Sequence, residues 1–254
     1  MGSQLTAWAL DLDGVIWRGT ETVPGSPQAV ARLRALQIPI AFVTNSALRT
    51  PAEVAAKLAH HGIADAEHEV ITSAMAAATL VEEGEDVMVV GSAGLGAAIA
   101  DRGATVVQPA PRTRVDAVVV GITESFDYAM LSHAMQAVRA GARFIATNTD
   151  PTYPGADELL PGNGAIVAAV ATATETEPIV AGKPHAAIAA LTRQILGDDG
   201  VMVGDRPDTD GLFAEAVGYE FALVYSGVTS PDEPVTPVPT RVAPDLLALV
   251  NKLT

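Results

Sequence analysis

The sequence predicts an α/β fold in which a parallel sheet is covered by helices on both faces. Short apolar segments of strand type recur along the 254 residues, and helical patterns separate most of them. Polar residues directly follow several of these strands, as in folds that bind ligands at the carboxyl edge of the sheet. A hydrophobic content of 49% is enough to build a sizeable core.

The N-terminal part predicts two strands and two helices. Thr6–Leu10 (TAWAL) is short, apolar and β-compatible, so it is the first predicted strand. Ser26, followed by proline, predicts the N-cap of a helix that runs to Leu36. The segment 38–44 (IPIAFVT) predicts the second strand, and Pro51–His60 predicts the next helix.

Later segments repeat this alternation through most of the chain. Five further strands are predicted at Val87–Val90, Asp116–Val120, Arg143–Ala146, Val201–Gly204 and Glu220–Val224. The proline-rich segment Pro231–Pro244 predicts an irregular surface region before a closing helix, Asp245–Lys252. Right-handed crossovers would bring the carboxyl ends of the core strands to one edge, where such folds bind ligands.

Composition excludes several classes of function. The chain has no cysteine, which excludes disulfides, thiolate metal sites and a thiol nucleophile. Its formal charge is −15 and it has no basic run, so we expect neither a nucleic acid nor an anionic membrane as a partner. No apolar stretch of membrane-spanning length occurs. We therefore expect a soluble, cytoplasmic protein.

Residues that can carry chemistry stand at the predicted strand ends. They are Asp11 and Asp13 after the first strand, Thr44 after the second, Lys183 in PIVAGKP, and Asp205 and Asp210 in GDRPDTD. Clustered carboxylates need a cation, and oxygen ligands suit Mg²⁺. A hydroxyl and a lysine suit phosphate oxygens, and a carboxylate can attack phosphorus. The alternative for each aspartate alone is an ordinary turn residue.

Taken in order, DLDGV, VTNS, GKP and GDRPDTD resemble the four motifs of the haloacid dehalogenase (HAD) superfamily of phosphatases. The closer resemblance is to the NagD-like, p-nitrophenylphosphatase-type branch. It implies a Rossmann-like, doubly wound parallel core and Mg²⁺-dependent hydrolysis of a small phosphomonoester. In this family the reaction passes through an aspartyl phosphate.

The resemblance also implies a role for each residue of the first two motifs. Asp11 would be the nucleophile and a metal ligand. Asp13 would be the general acid and base, and its backbone carbonyl would be a metal ligand. Thr44 and the backbone amide of Asn45 would bind the phosphoryl group. The alternative for Asn45 is a cap of the following helix.

The third and fourth motifs would complete the site. Lys183 would pair with Asp11 and the phosphate. Asp205 would be the second carboxylate ligand of the metal. Asp210 would lie in the second coordination sphere and support the metal ligands or Lys183. Asp208 fits better as the N-cap of the helix that runs to residue 217.

An inserted domain is predicted between Thr44 and Lys183, because that interval is far longer than one crossover needs. We place an α/β cap at 79–179 and the catalytic core at 1–78 and 180–254. The segment ATNTDPTYPG resembles the cap loop that contacts substrate in this branch, which makes Asn148, Asp150 and Tyr153 candidate substrate-binding residues. Asx turns before the two prolines are the alternative.

The resemblance leaves the substrate open. Family members act on glycolate, glycerol, pyridoxal, sugar and nucleotide phosphates. A phosphate-binding or regulatory protein with a retained site is the alternative from another class. A phosphomutase is less well supported, because its relatives carry a cap between the first two motifs, where this chain has no room. Caps of the expected kind often take part in homodimers.

Overall fold

A computed structural model describes residues 7–154 and 158–253. Thr6, the first residue of the first predicted strand, lies outside the described residues. The described chain divides into two compact units. The first holds the described residues up to Thr44, Pro51–Ile71 and the described residues from Lys183 onward. The second holds Asn45–Thr50 and the described part of Thr72–Gly182.

The strands of the described residues are numbered in chain order. They are β1 (Trp8–Leu10), β2 (Trp17–Arg18), β3 (Glu21–Thr22), β4 (Ile40–Thr44), β5 (Val70–Thr72), β6 (Asp86–Val90), β7 (Thr105–Val107), β8 (Ala117–Val120), β9 (Arg143–Ala146), β10 (Thr152–Pro154), β11 (Leu159–Pro161), β12 (Ile179–Val180), β13 (Val201–Gly204), β14 (Glu220–Val224) and β15 (Arg241–Ala243).

The α-helices of the same residues are α1 (Ser26–Ala35), α2 (Pro51–His60), α3 (Ser73–Ala78), α4 (Ala93–Asp101), α5 (Tyr128–Arg139), α6 (Asn163–Thr174), α7 (Ala186–Leu196), α8 (Leu212–Val217) and α9 (Leu246–Leu253). A 3₁₀ turn at Glu67–Glu69 precedes β5, and a π-helical turn at Pro207–Gly211 precedes α8.

The first unit is built on a six-stranded sheet of order β15-β14-β13-β1-β4-β5. The pairings from β15 to β4 are parallel. Leu10 lies opposite Val203 on one side and Phe42 on the other, so β1, β13 and β4 end close to the same level. The residues that follow these ends therefore meet at one edge of the sheet, as the sequence predicts.

The second unit has its own sheet, of order β12-β9-β8-β6-β7, and these strands are all parallel. Strands β10 and β11 form a separate antiparallel pair. Each unit buries its own apolar cluster, with Trp8 and Phe42 in the first and Val120 and Phe144 in the second. Burying one such side chain stabilises the folded state by roughly 1.5–3 kcal/mol, so each sheet is stabilised by a hydrophobic cluster of its own.

Several predicted elements coincide with the structure. The helix Pro51–His60 and the strands Arg143–Ala146, Val201–Gly204 and Glu220–Val224 have the predicted bounds. The predicted α/β class with parallel sheets is confirmed, and the strand order of the first sheet is Rossmann-like, as predicted. The predicted cap, 79–179, lies inside the second unit, but its role as a cap and its boundaries stay predictions, as does a homodimer formed through it.

Three local predictions were wrong. Ser26 is not an N-cap: Gly25 occupies that position with φ 84°, and the Ser26 hydroxyl donates to the carbonyl of Val15 at 2.7 Å. Asp208 is not the cap of α8, because it lies within the π-helical turn before that helix. The segment 231–244 is not wholly irregular, because Arg241–Ala243 pairs with β14 and completes the sheet edge.

Within residues 7–154 and 158–253, no helix combines the length and the apolar character needed to cross a membrane. The cytoplasmic location stays a prediction.

Candidate active site

Lys183 lies buried at the carboxyl edge of the first sheet. Its Nζ donates to Oδ1 of Asp11 at 2.6 Å and to Oδ1 of Asp210 at 2.7 Å. Burial by itself lowers the pKa of Lys183, but the attraction of the two carboxylates outweighs it, and the net effect raises the pKa. Lys183 is therefore a fixed positive charge that holds two acids from separate motifs together.

Asp210 is positioned by the π-helical turn that follows β13. It is 1% exposed, and its Oδ2 accepts the backbone N–H of Arg206 at 3.2 Å. A Cβ atom at Gly204 would fall 2.1 Å from Asp210 Oδ2, so the close approach of strand and carboxylate requires glycine there. Both carboxylate oxygens of Asp210 thus accept hydrogen bonds from the protein, which suits a residue that holds Lys183 in place.

Asp205 is held in a tight cradle at the end of β13. Its Oδ2 accepts the backbone N–H of Val228 at 2.8 Å, and Thr229 Oγ1 donates to its carbonyl at 2.5 Å. Cβ atoms built at Gly14 and Gly227 would fall 2.3 Å and 1.8 Å from Oδ2. Oδ1 is buried and has no hydrogen-bond partner among the described residues. A buried carboxylate oxygen of this kind normally has a partner, and a cation can supply one.

The three carboxylates of Asp11, Asp205 and Asp210 each offer an oxygen, and these oxygens lie within 4.8 Å of one another. We call these residues and Lys183 the acid cluster. Burial raises the pKa of Asp11 well above its usual value; Lys183 opposes this shift, and the two other acids add to it. Burial, with repulsion from Asp210, raises the pKa of Asp205 to about 6.

Burial is the largest cause of the raised pKa values of Asp11 and Asp205, and crowding of like charges adds to it. Three carboxylates crowd around the one ammonium of Lys183, so the cluster carries excess negative charge in a buried place. A hard divalent cation would remove that excess, and carboxylate oxygens are the ligands that Mg²⁺ takes. The residues present therefore fit Mg²⁺, with Asp11 and Asp205 as the side chains able to hold it.

Asp13 stands apart from the acid cluster as an exposed residue in the turn after β1. The carbonyl of Leu12 accepts the backbone N–H groups of Val15, Ile16 and Trp17, which makes the turn compact. Gly14 has φ 81°, a conformation that favours glycine. Asp13 Oδ1 accepts the indole N–H of Trp17 at 3.0 Å. The sequence reasoning assigned no role to that indole.

Thr44 ends β4 and is 5% exposed. Asn45 begins the second unit, well before α2 starts at Pro51, so it does not cap that helix. The carbonyl of Asn45 accepts the hydroxyl of Ser73 at 2.6 Å and the amide of Asn148 at 2.7 Å. Phosphoryl binding by the Thr44 hydroxyl and the Asn45 amide stays a prediction.

The candidate substrate loop is a hydrogen-bonded turn within the second unit. Asn148 is 5% exposed, and its Oδ1 accepts the backbone N–H of Asp150 at 3.1 Å, an Asx-type turn. Asn163 donates to the carbonyl of Asn148 at 2.7 Å. Asp150 accepts the side-chain amide of Asn45 at 3.1 Å, and Tyr153 lies half-buried in β10. This geometry favours the turn alternative for Asn148, while substrate contact by these residues stays a prediction.

The sequence reasoning missed the segment that follows β14. Val228 and Thr229 hold Asp205, and the Ser226 hydroxyl donates to the carbonyl of Gly14 at 2.7 Å. The available signal was position: this loop follows a strand of the same parallel sheet and so leaves at the same edge. Its residues carry no charge, and a search for acids and lysine passes over them.

Comparison with known proteins agrees with this geometry. A model of haloacid dehalogenase-like hydrolases matches residues 8–105, and a second, HAD-hydrolase-like model matches residues 180–249. An acid sugar phosphatase of Staphylococcus saprophyticus is 37% identical over 255 residues, covering 97% of both chains.

Two solved structures are similar over nearly the whole chain. A glycerol phosphate phosphatase from Mycobacterium tuberculosis, crystallised with magnesium, is 38% identical with a TM-score of 0.88; the match covers 97% of this chain and 76% of that one. NagD of E. coli K-12 is 29% identical with the same TM-score, over 96% and 98% of the two chains. The chain therefore belongs to the haloacid dehalogenase-like hydrolases, in their NagD-like phosphatase branch.

Proposed function

We propose that this phosphatase is Mg²⁺-dependent and hydrolyses a small phosphomonoester through an aspartyl phosphate on Asp11. One observation carries the proposal: Asp11 accepts a hydrogen bond from a buried ammonium, and one of its oxygens lies within 4.8 Å of an oxygen of Asp205 and an oxygen of Asp210. A carboxylate next to fixed positive charge can approach a phosphate dianion that would otherwise repel it. Asp11 directly follows β1, and its backbone N–H donates to the carbonyl of Val203 at 2.9 Å, so the sheet fixes its position.

In the first half of the reaction a carboxylate oxygen of Asp11 attacks phosphorus. The bond between phosphorus and the ester oxygen breaks, and that oxygen takes a proton from Asp13 to leave as an alcohol. Lys183 neutralises part of the charge on the phosphoryl oxygens and keeps Asp11 aligned. Asp210 holds Lys183 in place, because its Oδ1 accepts from the same Nζ.

In the second half water hydrolyses the aspartyl phosphate. The Asp13 carboxylate, now deprotonated, takes a proton from the water as its oxygen bonds to phosphorus. The bond between phosphorus and Asp11 breaks, which releases inorganic phosphate and restores both carboxyl groups. The sum is ester plus water giving alcohol plus phosphate, with no other reactant.

Asp11 and Asp205 would hold the magnesium ion, together with the backbone carbonyl of Asp13, as the family pattern implies. When bound, the ion supplies positive charge that the acid cluster lacks and neutralises the phosphoryl oxygens. Asp205 Oδ1, which is buried and has no hydrogen-bond partner among the described residues, supports this assignment. Both oxygens of Asp210 already accept hydrogen bonds, which supports a role in holding Lys183 rather than as a metal ligand.

The relatives favour a small sugar or polyol phosphate as substrate. Proteins similar over nearly all of this chain are named acid sugar phosphatase and glycerol phosphate phosphatase. Glycolate, pyridoxal and nucleotide phosphates are the competing substrates. Asp150 and Tyr153 remain the candidates for selecting the leaving group.

The test is release of inorganic phosphate from a panel of these esters and p-nitrophenyl phosphate, with Mg²⁺ and after chelation. We expect turnover of a sugar or glycerol phosphate with Mg²⁺, none after chelation, and recovery when Mg²⁺ is returned. Asp205→Asn protein should need far more Mg²⁺ for the same rate. Binding of esters without steady-state turnover would support the regulatory alternative, and full activity after exhaustive chelation would overturn the metal.

A further inference from the structure

The placement of Asp13 raises a question that the acid cluster does not answer. Asp13 is exposed, and an exposed aspartate samples several rotamers. A general acid and base is effective only when its carboxyl group lies within hydrogen-bond reach of the oxygen it serves. Something in the structure must therefore restrict the direction of this side chain.

The turn that carries Asp13 is closed by Trp17 at two points. The indole Nε1–H of Trp17 donates to Asp13 Oδ1 at 3.0 Å, and the Gly14 backbone N–H donates to the Trp17 carbonyl at 2.7 Å. The backbone bond sets the spacing of the two residues, and the indole bond then fixes the rotamer of the carboxylate. The second oxygen of Asp13 takes no part in the indole bond.

Trp17 is itself held firmly. Its side chain is buried, at 2% exposure, and its ring stacks on His61 with centroids 5.0 Å apart and an interplanar angle of 28°. Lys57 Nζ lies 3.9 Å from the ring centroid, a cation–π contact. His61 Nδ1 is 2.7 Å from the hydroxyl of Thr22, which fixes the stacking partner in turn. An indole packed in this way cannot turn away from Asp13.

We propose that Trp17 is a positioning residue for the reaction: its indole N–H holds one oxygen of Asp13 so that the other delivers and takes up the proton. This inference rests on the proposed function, since it requires Asp13 to be the general acid and base. The competing account is structural, because a buried indole N–H usually finds some acceptor. In that account the acceptor happens to be Asp13 and the rate does not depend on it.

The leaving group distinguishes the two accounts. Glycerol leaves as a poor anion and needs a proton from Asp13, whereas p-nitrophenolate is a stable anion and leaves without one. The quotient kcat/KM reports steps up to the first irreversible one, the transfer to Asp11, so it isolates proton delivery from later hydrolysis. A loss of packing alone would lower kcat/KM for both esters together.

The first variant is Trp17→Phe, which keeps an aromatic ring for stacking and removes the N–H. We expect kcat/KM for glycerol phosphate to fall about tenfold, while that for p-nitrophenyl phosphate changes by less than about twofold. The matched control is Trp8→Phe, since Trp8 is the chain's other tryptophan and is also buried, within β1. It should leave the ratio of the two quotients unchanged.

Two further proteins keep the test decisive if Trp17→Phe disturbs the packing. In the Trp8→Phe background, benzothienylalanine can replace the remaining tryptophan; it has the shape of indole with sulfur in place of N–H, and it should reproduce the selective loss. In an Asp13→Asn background, Trp17→Phe should cause no additional loss, because the group it positions is already gone.

Equal losses on both esters, or no loss on either, would overturn the positioning role while leaving phosphatase activity intact. An undiminished effect of Trp17→Phe in Asp13→Asn protein would do the same. Absence of turnover in the unmodified protein and in Trp8→Phe would instead refute the proposed function itself, so the two failures are distinguishable.

Discussion

Two buried polar groups, one in each unit, are stabilised in different ways. The acid cluster of the first unit is charged: Lys183 is shared between Asp11 and Asp210, and one Asp205 oxygen has no hydrogen-bond partner among the described residues. The second group, which we call the amide network, consists of Asn45, Asn148, Asp150 and Asn163. Its contacts are mostly amide hydrogen bonds to carbonyls, and Asn163 Oδ1 is its one buried atom without a partner among the described residues.

The two groups differ in their balance of charge. The amide network has one carboxylate, Asp150, which accepts the side-chain amide of Asn45, and its other hydrogen bonds join neutral groups that fix the shape of a loop. A cluster with an excess of buried negative charge stores electrostatic free energy that a cation can release on binding. Polar residues at strand ends and in loops look similar in a sequence, and the balance of charge distinguishes them.

The largest expected effect is on catalysis, from Asp11→Asn. The amide has nearly the same shape as the carboxylate but is a very poor nucleophile, so kcat should fall at least about 10⁴-fold. The change also removes one of the crowded charges, so the fold should survive. Phosphate release with Mg²⁺, alongside a thermal melt, measures both. Labelled phosphate should be trapped on Asp11 in the unmodified protein, and substantial turnover by pure Asp11→Asn protein would contradict the covalent route.

The next effect is on stability, from Lys183→Met. It leaves Asp11 and Asp210 buried without their counter-charge, which should cost about 3–5 kcal/mol of unfolding free energy. Urea unfolding in the absence of metal measures this. The matched control is Arg241→Met, which breaks the partly exposed pair with Glu220 (35% and 36% exposed) and should cost less than about 1 kcal/mol. Equal costs for the two variants would mean that the acid cluster is no more tightly coupled than a surface pair.

Asp205 should make the metal-free protein less stable as pH rises. Its pKa of about 6 in the folded chain exceeds the ordinary 3.8, so the folded state binds the proton more tightly than the unfolded state. The stabilising contribution is complete below about pH 4 and is lost as pH rises through about 6; it amounts to about 3 kcal/mol in all, of which about 2 kcal/mol is lost above about pH 4.5.

The effect is measured by comparing the free energy of unfolding in chelator at about pH 4.5 and about pH 7.5, on either side of the pKa of Asp205 in the folded chain. Asp205→Asn should flatten the dependence and make the metal-free protein more stable at the higher pH. Magnesium should stabilise the unmodified protein there and have little effect on the variant. An unchanged pH slope in Asp205→Asn protein would show that another group carries it.

The smallest effects should come from the amide network. Asn148→Ala removes a buried amide that bonds to the Asn45 carbonyl and the Asp150 N–H, so it should cost about 1–3 kcal/mol of unfolding free energy. Urea unfolding measures this cost.

Asp150→Ala should change substrate preference rather than stability: we expect the preference between a sugar phosphate and p-nitrophenyl phosphate to shift by about tenfold or less, without loss of turnover. Parallel kcat/KM series on both esters and urea unfolding separate the outcomes. An equal loss on every substrate with Asp150→Ala would mean that the whole loop is structural.

The fold could be predicted well because hydrophobic periodicity is a local property. Strands such as Val201–Gly204 are continuous apolar runs buried on both faces, and their bounds coincide with the structure. The errors arose where a residue far away in the sequence determines the local structure. Arg241–Ala243 lies in a proline-rich segment, and it becomes a strand only because β14 offers an unpaired edge. Ser26 has the side chain of a cap, but its hydroxyl is used by the Val15 carbonyl.

The sequence by itself determined which groups meet at the sheet edge, because strand ends of a parallel sheet converge and Asp11, Lys183 and Asp205 follow such ends. Only the tertiary structure decided which carboxylate oxygens accept hydrogen bonds, which buried one has no partner among the described residues, and which side chain donates to Asp13. Those outcomes depend on contacts between segments far apart in the chain, such as Val228 with Asp205 or His61 with Trp17. No local pattern encodes them, since a hydrogen bond forms only when packing brings its two partners within reach.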